Sequence, residues 1–150
     1  PKGKRLKEAR VHELILNSDV FINVPVLKHH SSASISLAMK NLMGVVWDRR
    51  YWHRNDLHQC IADFVTWRKP TLNVIDGYRV MLRNGPRGVS EADVVMMKQL
   101  IVSADIVAAD AAATLVFGSK PQDIPHIRIA NEMKLGTMDL SRLNINRIKI

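Results

Sequence analysis

Short apolar runs rich in β-branched residues alternate with helical patterns along this chain, and that alternation limits the folds open to it. Val20-Phe21-Ile22-Asn23-Val24-Pro25-Val26, Thr71 to Asp76, Gln99 to Ser103 and Ile145 to Ile150 read as strands. Val11 to Leu16 is a weaker strand candidate whose pattern also suits a helix, and it ends at the turn signal Asn17-Ser18-Asp19. Between the runs lie helical patterns. Ile35, Ala38, Met39 and Leu42 share one helical face, with Ser32 or Ser34 available as N-cap and Gly44 as the stop, giving a helix over 34–43. Further helices are expected over 57–67, ending before Pro70, over 106–117 with Asp105 as N-cap, and over 124–135, closed by Gly136. Strands joined through helices of this length require crossover connections, so the expected class is α/β: a largely parallel or mixed sheet of four or five strands with helices packed on it. The connections over 45–56 and 77–93 are longer than compact domains ordinarily use, which marks them as functional or mobile.

With 150 residues there is room for one domain over 1–150 and not for two full ones. The chain opens on Pro1 and runs at once into the fold, which raises the expectation that it is part of a larger domain. No apolar stretch approaches the ~20 residues of a membrane-spanning helix, and no signal peptide is visible, so a membrane span is not expected and the compartment stays open. A single cysteine, Cys60, leaves no internal disulfide and no cysteine-held iron–sulfur cluster within the chain. The formal charge of +8 is uneven. Residues 1–70 carry 12 Lys/Arg against 6 Asp/Glu, whereas residues 71–150 carry 10 against 8. An N-terminal half this basic favours an anionic partner.

The end of the first apolar run carries the most chemistry. Lys28-His29-His30 stands where a strand is expected to finish, and a serine-rich turn follows into the helix bearing Lys40. Strand ends and helix N-termini in open α/β sheets leave backbone donors facing a crevice, where anions bind. Lys40 is six residues past Ser34, about 9 Å along a helix axis, so it reaches such a ligand only by extending back. Adjacent histidines in extended chain point to opposite sides, so one of His29 and His30 at most serves the site. A solvated polar turn is the plain alternative. A metal would need partners such as His53, Asp56 and His58, and no spacing matches a zinc template, so none is assigned.

Three other groups invite comparison. Asp76-Gly77 with Asn84-Gly85-Pro86-Arg87-Gly88 is a second constellation at an expected strand end, which a structural turn explains equally well. Asp110 lies alone among alanines; a carboxylate buried there needs a partner, either Lys28, Lys40 or a histidine in a functional role, or Arg128 or a backbone donor in a structural one. Trp47, Arg49, Arg50, Tyr51, Trp52, His53 and Arg54 mix aromatics with cations, compatible with stacking on single-stranded nucleic acid, with a lid, or with a contact surface. No recognised nucleic-acid motif accompanies them, so nucleic acid is the less favoured partner. Nucleophile-elbow, Walker and dinucleotide fingerprints are missing from the sequence.

Asp19-Val-Phe-Ile-Asn-Val-Pro-Val-Leu-Lys28 with His30, followed by Ser36-Leu-Ala-Met-Lys40-Asn41-Leu-Met-Gly44, resembles the domain of unknown function 362 family. His58 with Ile61-Ala62-Asp63, Val74-Ile-Asp76-Gly77, Asn84-Gly85-Pro86 with Gly88, and Ser103 with Asp105 and Val107-Ala-Ala-Asp110 continue the resemblance in order, over residues 18–150. The family pattern usually has Thr where His29 stands, which makes His30 its equivalent. The resemblance implies a longer protein with an upstream α/β portion, and an association with ferredoxin-like iron–sulfur modules that would have to come from another chain or segment.

The resulting expectation is a ligand-binding or catalytic domain for a small anionic molecule, in chemistry that is redox- or metal-linked if the family association holds. Lys28 and Lys40 hold the anion, with Ser32, Asn41 and Gly85 completing the ligand contacts. His30 or His58 transfers a proton, and Asp76 or Asp110 orients a base or binds a cation. The competing class is a non-catalytic basic module for nucleic acid or an iron–sulfur partner protein. The sequence leaves open whether the protein is an enzyme.

Overall fold

The computed structural model describes residues 2–149. Its centre is the strand β4 (Leu72–Met81), which has two edges, and the partners on each follow from the register. Along one edge run β1 (Ile22–Asn23) and β2 (Val26–His30), both parallel to β4, with Ile22 opposite Leu72 and Val26 opposite Asp76. They are successive stretches of one lane, interrupted at Val24-Pro25, where proline offers no N–H to the ladder while its carbonyl still accepts from the Asp76 N–H at 2.9 Å. β5 (Val94–Ser103) fills the other edge antiparallel, from Asn73 opposite Ser103 to Met81 opposite Val94. β2 folds back onto β3 (Ser34–Ser36), also antiparallel. The sheet is therefore mixed, with parallel pairing confined to the β1/β2 lane against β4.

Several expectations change here. The first apolar run does not stop before Lys28: Lys28, His29 and His30 are themselves in β2, and the serine turn leads to a strand. Ser34, expected as a helix cap, lies in β3 with φ of 64°. The helix expected over 34–43 shrinks to α2 (Ala38–Asn41) and a 3-10 turn over Leu42–Val45. Asp76 is interior to β4 rather than at its end, because pairing with β5 carries the strand on to Met81 and leaves only 82–93 as connection. At the C-terminus, residues 145–149 form no strand, and Ile150 lies outside the described residues.

Elsewhere the helices match their patterns closely. α4 (Leu57–Val65), α5 (Ile106–Val116) and α6 (Pro125–Glu132) lie where apolar periodicity placed them, and Asp105 caps α5 by accepting from the Val107 and Ala108 N–H groups. Two shorter helices, α1 (Glu13–Asn17) and α3 (Arg49–Arg54), occupy stretches with weaker patterns, so the long connection over 45–56 is itself helical. α2, α4, α5 and α6 pack together over one face of the sheet, burying Leu27, Ile75 and Val80 against Met39, Phe64, Ile61, Val107 and Ile127. Ile22, Val26, Leu100 and Val102 on the sheet strands stay exposed, as do Val20 and Val24 beside them. None of the helices is long and apolar enough to cross a membrane among the described residues.

Candidate functional site

The β2–β3 hairpin explains how Lys28 and Lys40 come together. Lys28 lies opposite Ser36, one residue before Leu37 starts the chain into α2, so the return strand delivers Lys40 beside Lys28 within a dozen residues. From the next helix, α3, the His53 ring stacks against His30 with centroids 6.4 Å apart and planes inclined by 14°. Lys40 is pushed below the ordinary ammonium range first by burial, then by the charges of Lys28 and Arg49. His30, 8% exposed, is lowered to about 4, first by burial and then by Lys40, His53, Lys28 and His29. His53 is lowered by burial and by Lys40. Among the described residues no carboxylate contributes to the shifts of these three groups, and the ion pairs, Arg83–Asp93, Arg128–Glu132 and Arg142–Asp139, all lie elsewhere.

The two neighbouring histidines of β2 divide their tasks. His30 Nδ1 accepts from the Ser32 and Ala33 N–H groups at 3.1 and 3.2 Å, which closes the serine turn and makes Ser32 a backbone partner of the site. His29 Nδ1 accepts from the Gly85 N–H at 3.0 Å, while the Ser31 N–H donates to the Gly85 carbonyl. The 84–88 loop is thereby fastened onto β2. Gly85 has a steric reason to be glycine: a Cβ there would collide with the His29 carbonyl. Gly85→Ala is expected to destabilise the fold by about 1–3 kcal/mol, as overpacking against backbone does, visible as a lowered Tm.

Other expected members are engaged elsewhere. Asp110 is fully buried, and its two carboxylate oxygens accept from the N–H groups of Ala38 at 2.7 Å and Met39 at 3.1 Å. It thus caps α2 from α5, where serine was expected. Asp76 turns back on its own strand, accepting from the Tyr78 N–H, with no hydrogen bond or ion pair to the lysine–histidine cluster. Asn41 donates to Asn23 Oδ1; Asn23 donates in turn to the Ala38 carbonyl and to Asn73 Oδ1, and Asn73 to the Ser103 carbonyl. This chain of amides crosses the sheet beneath α2, and Asn23 and Asn73 were legible as polar residues at inward positions of apolar strands. His58 meets His126 of α6, Nδ1 to Nδ1 at 3.1 Å with stacked rings. His126 is fully buried, lowered to about 3 first by burial and then by His58, Lys40 and His30, and its Nε2 has no partner among the described residues. No sequence signal set this single histidine of an ordinary amphipathic helix apart.

Cys60 donates to the Asn55 carbonyl, and burial, with help from Asp63 and Asp56, raises its thiol to about 11, so it stays protonated at neutral pH. Among the described residues no three His, Cys, Asp or Glu side chains stand close enough to hold a metal ion. A cleft of about 1040 Å³ lies away from β2, between residues 6–10 and 46–52, where Lys7, Arg10, Arg49, Arg50 and Trp47 line it.

A family model described as Domain of unknown function (DUF362) matches residues 1–115. A thylakoid-associated protein of Synechocystis sp., sll1697, is 27% identical over 135 residues, which are 85% of this chain and 40% of that protein. The chain thus spans about two-fifths of the length of the curated relative it matches. No solved structure matches.

Proposed function

The chain belongs to the domain of unknown function 362 family, and on that premise we propose that it binds a small anionic ligand where Lys28, His30, Lys40 and His53 converge. One observation carries this reading: the cluster gathers cations and imidazoles from β2, α2 and α3, partly out of water, with no carboxylate to neutralise them. Like charges held together in low dielectric raise the free energy of the unliganded fold, and an anion relieves that repulsion. Asp76 and Asp110 are engaged elsewhere and orient no base at the cluster, so charge neutralisation is the cluster's first task. Redox or metal-linked chemistry would have to be supplied by an iron–sulfur module on another chain or segment.

Thermal unfolding with inorganic phosphate, pyrophosphate or citrate, at ionic strength matched with chloride, tests the proposal. At a hundredfold excess over Kd a bound anion adds about 2.7 kcal/mol, or roughly 5–10 °C in a domain of this size. If none of these anions raises Tm above the chloride control, the reading fails.

The basic cleft beside α3 favours a second reading, a docking face for phosphate-bearing partners such as single-stranded nucleic acid. Its exposed Trp47 and its arginines supply the stacking and charge this needs. Changing Arg49, Arg50 and Arg54 together to alanine is then expected to flatten the salt dependence of oligothymidylate binding, by about 2 in the slope of log K against log salt. An unaltered slope, or no binding by the wild type, removes this second reading.

A further inference from the structure

We infer that His30 meets the ligand as a neutral imidazole fixed in its Nε2–H tautomer, donating one hydrogen bond to a ligand oxygen, which assigns the site to oxyanions of the phosphate type. The inference rests on the anion-binding reading and adds the form in which the histidine takes part. It departs from the expectation that His30 transfers a proton.

Geometry carries it. The Nδ1 lone pair of His30 receives two backbone donors, from Ser32 and Ala33, at 3.1 and 3.2 Å. A proton on Nδ1 would face both N–H groups and leave them without an acceptor, so the single proton of the neutral ring belongs on Nε2. The imidazolium is excluded by the same contact, since it carries protons on both nitrogens. Every neighbouring element adds weight in the same direction: Lys28 and His29 from β2, Lys40 from α2 and His53 from α3 all oppose a further positive charge on this ring. His30 in turn opposes a charge on His126 of α6.

The other nitrogen is available. Among the described residues His30 Nε2 makes no hydrogen bond, and it is not sealed from solvent, unlike the buried and unpartnered Nε2 of His126. The division of labour is then plain. Lys28 and Lys40 supply charge, and His30 supplies a directed N–H donor whose proton stays in place across the neutral pH range. An anion with an oxygen lone pair satisfies both.

Multiple-bond proton–nitrogen NMR on protein labelled at histidine reads the tautomer directly. The expected result is a protonated Nε2 and a bare Nδ1 for His30 from pH 8 down to pH 5.5, with a shift of the Nε2–H resonance when inorganic phosphate is added. His30→Gln, whose amide places an N–H near the same point, is expected to keep phosphate affinity to within about threefold, whereas His30→Leu weakens it about tenfold. A proton on Nδ1 in this pH range, in either the neutral or the doubly protonated ring, overturns the inference, as does unchanged phosphate affinity in His30→Leu. Tautomer and binding separate the two levels. A wrong tautomer with phosphate still bound defeats this inference alone, and wild-type protein that binds no phosphate defeats the anion site beneath it and the oxygen contact together.

Discussion

Asp110→Ala is expected to cost about 2–6 kcal/mol of folding stability, enough to unfold a marginal domain. The change strips the acceptors from the N–H groups of Ala38 and Met39, both buried, and each orphaned donor costs about 1–3 kcal/mol. Asp110→Asn keeps the shape and one acceptor oxygen and is expected to cost about half as much. The carboxyl also writes a pH dependence into the fold. Burial pushes it up to about 8, against the pull of the Met39 and Ala38 N–H groups and with a contribution from Asp105. A carboxyl that holds its proton more tightly when folded gives stability that declines as pH rises from about 4 to about 8. His30 and His126 act in the opposite sense, since their lowered values make stability decline as pH falls below about 6.5. Between pH 6.5 and 8 Asp110 is left dominant, so the urea midpoint is expected to be lower at pH 8, by the equivalent of about 1–2 kcal/mol. Asp110→Asn should flatten that interval. The same decline in the Asn variant would show that the carboxyl is not its source.

Lys40→Met is expected to do two opposite things. It should weaken phosphate binding by about 10- to 150-fold, the worth of one charge-assisted hydrogen bond of about 1.5–3 kcal/mol in a partly buried setting. It should also raise the Tm of the protein without ligand, because burial and the charges of Lys28 and Arg49 already disfavour the Lys40 ammonium, and an apolar chain of similar length removes that repulsion. Lys28→Ala should weaken phosphate binding too, and Lys28→Ala combined with Lys40→Met should abolish the thermal response to anions. A Lys40→Met protein of lowered Tm that still responds fully to phosphate would contradict both halves.

Much of this architecture is legible in the residues, and the misreadings have physical causes. α4 and α5 start on the local side-chain caps Asp56 and Asp105, and α6 starts on Pro125, so local sequence suffices to place them. The α2 region failed because its cap comes from Asp110, 72 residues away; without that carboxylate in view, the nearby serines looked like the only available caps. The length of β4 was hidden for a similar reason. Gly77, Tyr78 and Arg79 have no apolar alternation of their own, and the stretch stays extended because β5 pairs with Gly77 and Arg79 on either side of an irregularity at Tyr78. In the site, Lys28, His30 and Lys40 were marked by their position after an apolar strand, and the hairpin does bring them together. The seating of Asn41 in an amide chain, of Gly85 beneath His29, and of Asp76 on Tyr78 depends on contacts that no local pattern encodes. The continuous apolar run over 20–26 resembles a strand buried on both sides, yet the helices cover one face only and leave Val20, Ile22, Val24 and Val26 exposed.

Diffraction from crystals soaked in selenate, read through the anomalous signal of selenium, locates a bound oxyanion without assuming where it sits. The expected peak lies within hydrogen-bond distance of Lys40 Nζ and His30 Nε2. Selenate found only in the cleft between residues 6–10 and α3, or absent from the cluster at concentrations that raise Tm, would contradict the assignment.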